Sequence, residues 1–184
     1  MKSLQLEKPH AIIVIGIQGS GKSFFAEKFA DTFNAPFVEQ AAFMRAAKDL
    51  PAAEALVQDM LKQMLKTGRS VVVELALSSR TERAELSKQM RKAGYVPLFV
   101  WVQVDTETAM NRAQRGSGIS AADYQTNLRR FNAPHATERA LVISGKHTFA
   151  TQAKAVLKKL SAPRQIIRPS VEPRPHSRGQ IIIR

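Results

Sequence analysis

A glycine-rich segment near the start of the chain constrains its fold more than any other feature. The sequence "AIIVIGIQGSGKS" joins an uninterrupted apolar run, residues 11–15, to the spacing Gly16-x-x-x-x-Gly21-Lys22-Ser23. A loop of this pattern wraps phosphates when a buried strand leads into it and a helix leads out. The segment therefore predicts a strand, a phosphate-binding loop and a helix, in that order.

Each residue type in this loop has a physical reason. Glycines let backbone N–H groups approach phosphate oxygens, and the N-terminus of the following helix favours an anion. Lys22 can reach the β- and γ-phosphates of a nucleotide, and the Ser23 hydroxyl can ligate Mg²⁺. We therefore expect a nucleotide with Mg²⁺ to be held by Gly16, Gly19, Ser20, Gly21, Lys22, Ser23 and Phe24.

Further apolar runs alternate with helical patterns along the chain. The runs lack period-two alternation, which is typical of strands buried on both faces of a parallel sheet. They lie at 11–15, 36–38, 71–73, 98–104 and 140–143. Strands that alternate with helices predict a doubly wound α/β sheet. Helices are expected from Gly21, along an apolar stripe from Ala53 to Leu65, after the capping boxes Ser79-x-x-Glu82 and Ser120-x-x-Asp123, from about Asp105, and over Thr148 to Leu160.

The composition limits the class of protein and of partner. The 28 basic and 15 acidic residues give a net charge of +13, which favours a nucleotide, a nucleic acid or another anionic acceptor as partner. A merely basic, solvated surface is an equal alternative on charge alone. The chain has no cysteine, and its apolar runs are too short to span a membrane, so we expect a cytoplasmic protein.

The composition changes after residue 161. The segment 162–184 holds four prolines, five arginines and two Gln-Ile-Ile sequences, without helical periodicity. We expect a P-loop-bearing domain over 1–161 and a basic, flexible or extended tail over 162–184. The β-prone sequences in the tail suggest self-association or partner association by strand addition; an incidental apolar tip is the favoured alternative.

Two arginines precede a glycine-rich break in the chain. Arg112 and Arg115 are three residues apart, hence on one helix face, and residues 116–118 follow as Gly-Ser-Gly. This pattern suits a lid that closes over transferring phosphates and neutralises their charge. For Arg129 and Arg130, further along, a solvated helix face is favoured.

Together these motifs resemble the small P-loop kinases that include the 5′-hydroxyl polynucleotide kinase domain, the gluconate kinases and the zeta-type toxins. The resemblance covers residues 10–160, through "GIQGSGKSFFAEKFA", "GRSVVVELALSSRTERAELSKQMRKAGY" and "LFVWVQVDTETAMNRAQRG". It implies a three-layer P-loop NTPase fold with a mainly parallel five-stranded sheet of order 2-3-1-4-5 and a small helical lid. It also implies that ATP gives its γ-phosphoryl group to a hydroxyl, with Lys22 on the phosphates, Ser23 and Glu74 on Mg²⁺, and Arg112 and Arg115 in the lid.

The sequence departs from this family at the acceptor side. Glu74 stands where an Asp is usual, and Ala41 or Ala42 stands where an Asp usually acts as base. Glu39 is the nearest acid and the candidate base, and Arg45 could bind an anionic acceptor. Three readings are open: a kinase acting on a nucleic acid 5′-hydroxyl or a nucleotide, a degenerate nucleotide-binding protein or slow ATPase, and a basic nucleic-acid-binding module.

Overall fold

A single parallel sheet organises the chain. The structure is a computed structural model that describes Leu4 and residues 6–162. The five strands lie in the order β2-β3-β1-β4-β5, and all four neighbouring pairs are parallel. Their bounds are β1 (His10–Ile15), β2 (Phe37–Glu39), β3 (Val71–Glu74), β4 (Val96–Gln103) and β5 (Leu141–Ser144).

Within the described residues, six α-helices lie between successive strands and a seventh follows β5. The helix that follows β3 is capped at its N-terminus by neighbouring residues. The Ser79 hydroxyl accepts from the Glu82 N–H at 3.2 Å, and the Glu82 carboxylate accepts from the Ser79 N–H at 2.8 Å. This capping box satisfies two backbone donors that would otherwise be unpaired. The helices are α1 (Lys22–Phe33), α2 (Gln40–Ala46), α3 (Leu50–Lys66), α4 (Arg80–Lys92), α5 (Thr106–Ser117), α6 (Ala121–Arg130) and α7 (Phe149–Ser161), and a 3-10 helix spans Ala136–Glu138.

Both faces of the sheet are buried, which makes three layers. In β1, Ile12 and Val14 pack toward α1 and α7, while Ala11, Ile13 and Ile15 pack toward α3 and α4. Each fully buried Ile or Val side chain contributes about 1.5–3 kcal/mol to the free energy of folding, relative to an exposed one. The central strands therefore need the continuous apolar sequence that they have.

The structure confirms the predicted α/β fold and strand order, and it differs in two details. The helix α2 was not predicted, because none of its seven residues is buried and it carries no apolar period. The predicted stripe on α3 is partly wrong: Leu56 and Met60 are 48% and 38% exposed, and the helix packs through Ala53, Val57 and Leu61. These three form an i, i+4 row, and Met64 and Leu65 of the predicted stripe pack, partly buried, against the same core.

Two predictions concern the ends of the described chain. Among residues 4 and 6–162, no helix is long and apolar enough to cross a membrane. The tail predicted over 162–184, and its proposed associations, lie outside the described residues except for Ala162. The domain boundary at 161 therefore stays a prediction.

Candidate functional site

The glycine-rich loop lies at the carboxyl edge of the sheet. It connects β1, the central strand, to α1, and ligands of open parallel sheets bind at this edge. Gly21 caps α1 without a side-chain hydrogen bond, so the first N–H groups of the helix are left for an anion. We refer to residues 16–23 as the phosphate loop.

Two neighbouring segments press against the phosphate loop. A Cβ on Gly19, whose φ is +79°, would lie 2.0 Å from the carbonyl oxygen of Ala109 in α5. A Cβ on Gly145, after β5, would lie 2.1 Å from the carbonyl oxygen of Ser20. These approaches are closer than any real Cβ contact, so both positions require glycine. The loop is thus held between α5 and the turn after β5.

Beneath the loop, Ser23 and Lys22 meet a buried carboxylate. The Ser23 hydroxyl donates to Glu74 Oε1 at 2.7 Å, and Lys22 Nζ lies 3.7 Å from the same oxygen. Burial raises the pKa of Glu74, against the lowering effect of the Ser23 hydrogen bond and the Lys22 charge. The second oxygen, Oε2, is buried and has no hydrogen-bond partner in the described part of the chain.

This cluster fits a divalent cation. A hydroxyl and a buried carboxylate with an unpaired oxygen are the oxygen ligands that Mg²⁺ takes in phosphoryl-transfer sites. Two protein ligands leave the other positions to phosphate oxygens and water, which Mg²⁺ usually keeps. Ser23 and Glu74 are therefore the residues that could hold the metal.

Glu39, the candidate base, lies on the strand beside Glu74. The two glutamates are register partners at the ends of β2 and β3, and the Glu39 charge also raises the pKa of Glu74. Arg45 of α2 contacts the Glu39 carboxylate at 3.4 Å. Ala41 and Ala42, the two alternatives for the family's base position, are both exposed on α2.

The two candidate lid arginines have different surroundings. Arg112 of α5 donates to the carbonyl oxygen of Gly145 at 3.0 Å, so it braces the turn that contacts the phosphate loop. Arg115, one turn further along α5, is exposed. Phe24, directly after Ser23, is 60% exposed, with the ammonium group of Lys28 5.3 Å from its ring centroid.

A cavity of about 350 Å³ opens beside the phosphate loop, and sequence reasoning did not find it. It is walled by the loop itself, by the segment after β3 and by α6. Gly16 and Lys22 are the predicted site residues in its lining, Ile17 and Gln18 belong to the same loop, and the lining residues outside the loop carry no motif. The lining outside the loop includes Leu75, Leu77, Tyr124, Leu128, Arg130 and Phe131.

A buried ion pair fixes two walls of this cavity. The fully buried Arg83 of α4 donates from Nε and from Nη2 to the Glu138 carboxylate at 2.7 and 3.1 Å. The Asn132 N–H also donates to the carbonyl oxygen of Ser78 at 2.8 Å. These contacts tie the segment after β3 to the segment after α6.

One protein family matches the sequence. The family model, described as an AAA domain, matches residues 12–141, which is more than half of the chain. Among curated proteins, no sequence matches this chain.

Several solved structures share the fold. A gluconokinase from Sinorhizobium meliloti 1021 is 21% identical, and the match covers 83% of this chain and 91% of that one, with a TM-score of 0.63. The Mycobacterium tuberculosis APS kinase CysC, in complex with AMPPNP and APS, is 15% identical over 84% and 99% of the two chains, with a TM-score of 0.67. Chaetomium thermophilum Kti12, in complex with ADP-AlF3, is 14% identical over 82% and 96%, with a TM-score of 0.61.

Proposed function

Because the chain belongs to the AAA domain family, in the small P-loop kinase group, we propose that it is an ATP-dependent kinase. The observation that carries this proposal is the cluster of Lys22, Ser23 and Glu74 beneath the phosphate loop. It combines a cation for the phosphates with two oxygen ligands for Mg²⁺, which is the donor half of a phosphoryl-transfer site. The nucleotide analogues in the APS kinase and Kti12 structures support ATP as the donor.

Different residues of the site bind different parts of the donor, ATP with Mg²⁺. The N–H groups of residues 16–23 cradle the phosphates, and Lys22 contacts the β- and γ-phosphates. Ser23 and Glu74 hold Mg²⁺, which supplies charge neutralisation when it binds with ATP. Arg115, exposed at the end of α5, reaches the transferring group when the lid closes, while Arg112 keeps the turn at Gly145 in place.

The acceptor that the sequence predicts is a nucleic acid 5′-hydroxyl or a nucleotide. For a hydroxyl, Glu39 is the base, since it lies at the strand end next to Glu74. If so, Glu39→Gln should lower kcat for a hydroxyl acceptor by about 10²–10⁴-fold, with unchanged ATP affinity. An unchanged kcat would exclude Glu39 as the base.

The proposal is tested by transfer from γ-labelled ATP with Mg²⁺. The acceptors are 5′-hydroxyl oligonucleotides, nucleosides, nucleotides and gluconate, and ATP binding is measured separately by calorimetry. We expect label in an acceptor, and a rate about 10²–10³-fold lower in Lys22→Ala because a charged contact to the developing transition state is lost. Lys88→Ala, which removes an exposed lysine of α4, is the matched control.

A second candidate is a nucleotide-binding protein or slow ATPase. The alanines at 41 and 42 favour it, because they stand where related kinases place the acceptor's base. In that case ATP binds and is hydrolysed slowly, and no acceptor of the panel is labelled. This outcome would contradict the kinase proposal.

A further inference from the structure

The cavity beside the phosphate loop borders the place where transfer would occur. Lys22, which we assign to the β- and γ-phosphates, is part of its lining, together with Gly16 and Gln18 of the loop. An acceptor in this cavity would therefore face the γ-phosphate. Its volume of about 350 Å³ lies within the range of about 300–1,000 Å³ that small-molecule sites occupy.

The charged side chains that line the cavity, within the described residues, are both cationic: Lys22 and Arg130. Arg130 ends α6, and none of the ion pairs in residues 6–162 engages its guanidinium. A free guanidinium at a cavity is suited to bidentate recognition of a phosphate. The lining therefore favours an anionic acceptor.

The remaining walls include apolar side chains, which favour an acceptor that also carries an apolar group. Leu75 and Leu77 line one side, and Leu128 and Phe131 line another. Tyr124 also lines the cavity, and its buried hydroxyl lacks a hydrogen-bond partner in the described part of the chain. Because a buried unpaired hydroxyl is costly, a ligand group that bonds it gains affinity.

The carboxylate of the candidate base, Glu39, lies at another part of the carboxyl edge of the sheet. Glu39 lies at the end of β2 and is contacted by Arg45, and the cavity lining does not include it. Next to Glu39, Gln40 accepts from the Ala76 N–H at 2.7 Å, which fastens β2's end to the outer side of the segment after β3. An acceptor in the cavity is thus beside cations and neutral polar groups.

We propose that the acceptor is a nucleoside monophosphate, phosphorylated on its own phosphate rather than on a hydroxyl. Arg130 and Lys22 bind its phosphate, and the apolar walls enclose its base. This inference rests on the proposed kinase function and specifies the acceptor of the same site. It also gives a reason for alanine at 41 and 42, because this acceptor needs no base.

The step balances without a proton acceptor on the protein. A phosphate oxygen of the nucleoside monophosphate attacks the γ-phosphorus of ATP and forms a new P–O bond. The bond between the γ-phosphorus and the β,γ-bridging oxygen breaks, and its electron pair leaves with ADP. Since the second pKa of a phosphate monoester is about 6, the attacking oxygen is already ionised at neutral pH. The product is a nucleoside diphosphate.

The test supplies γ-labelled ATP and Mg²⁺ to the full chain with matched acceptors. The arms are the common nucleoside monophosphates, the same nucleosides without phosphate, glucose 6-phosphate, and a 5′-hydroxyl oligonucleotide. We expect labelled nucleoside diphosphate from at least one monophosphate, and no label in the other three arms. ATP affinity is measured in parallel, so that a lack of label caused by lost ATP binding is distinguished from the lack of a suitable acceptor.

Two variants and one control variant test whether the acceptor binds in the cavity. Arg130→Gln should raise KM for the monophosphate about 10- to 100-fold, because a hydrogen bond to a charged group is lost. Arg129→Gln, a change at the neighbouring exposed residue outside the lining, should leave KM unchanged. Tyr124→Phe should raise KM by up to about tenfold while the protein stays folded, since the hydroxyl has no partner in the described chain.

The other outcomes contradict the inference in distinguishable ways. Label only in a nucleoside or in the oligonucleotide would overturn the phosphate acceptor and leave the kinase proposal intact. Label only in glucose 6-phosphate would show that the acceptor does not need a nucleobase. ATP binding without label in any arm would overturn the nucleoside monophosphate as acceptor, and absence of label in gluconate as well would also overturn the kinase proposal. Equal effects of Arg129→Gln and Arg130→Gln on KM would mean that the acceptor does not bind in this cavity.

Discussion

Glu74 shows how a single residue couples the sheet to the site. It ends a buried strand, so its carboxylate lies in a poorly solvated place next to Ser23 and Lys22. Its pKa is raised mainly by loss of water around the charge. The Glu74 carboxylate accepts directly from the Ser23 hydroxyl, at 2.7 Å.

The raised pKa of Glu74 predicts a pH dependence of stability without nucleotide. The folded state holds this proton more tightly than the unfolded state, so the free energy of unfolding falls as pH rises from 4.5 through the raised pKa. Glu74→Gln should remove this part of the decline. Urea unfolding at a series of pH values measures it, and Glu54→Gln, at an exposed position on α3, controls for the loss of one charge. Identical profiles for both variants would contradict the prediction.

At the scale of elements, the phosphate loop depends on how closely α5 packs against it. Gly19 approaches the backbone of α5 at Ala109 and Ala113, and a backbone neighbour cannot move aside as a side chain can. The position of α5 therefore helps to fix the phosphate loop, although the residues of α5 in contact are only small alanines.

Two alanine substitutions separate this contact from general effects on α5. Gly19→Ala should destabilise the protein by at least about 2 kcal/mol and weaken ATP binding, because the new Cβ overlaps α5 and the backbone φ is left-handed. Gly116→Ala, where nothing lies within 4 Å, should stabilise by up to about 1 kcal/mol through helix propensity. Thermal unfolding and calorimetry measure both. Equal behaviour of the two variants would refute the close approach.

At the scale of the whole molecule, a buried ion pair joins segments far apart in sequence. Arg83 of α4 and Glu138 of the 3-10 helix tie together two walls of the cavity. The Arg83 hydrogen bond lowers the pKa of Glu138, which keeps the partner ionised. Removal of one member leaves a buried charge unpaired.

Arg83→Ala should therefore lower the free energy of unfolding by about 3–5 kcal/mol. The exposed pair Lys62–Asp59 provides the control, since Lys62→Ala should cost less than about 1 kcal/mol. Guanidinium titrations of both variants give the two values. A loss of under about 1 kcal/mol for Arg83→Ala would mean that the pair does not hold the walls.

The sequence by itself predicted the fold, and it contains the loop residues that we propose for the donor nucleotide. Strands buried on both faces need continuous apolar runs, and the phosphate loop is contiguous in sequence, so both leave a local pattern. The short helix α2 and the exposure of Leu56 and Met60 escaped prediction, because propensity does not say which apolar residues meet the sheet.

Only the tertiary structure revealed the cavity that we propose for the acceptor. The cavity gathers residues from the phosphate loop, the segment after β3, and α6, and no spacing in sequence relates Leu77 to Arg130 or Arg83 to Glu138. The strand order brings these segments together at one edge of the sheet. A phosphate cradle can be encoded in eight consecutive residues, whereas a cavity exists only when distant walls meet.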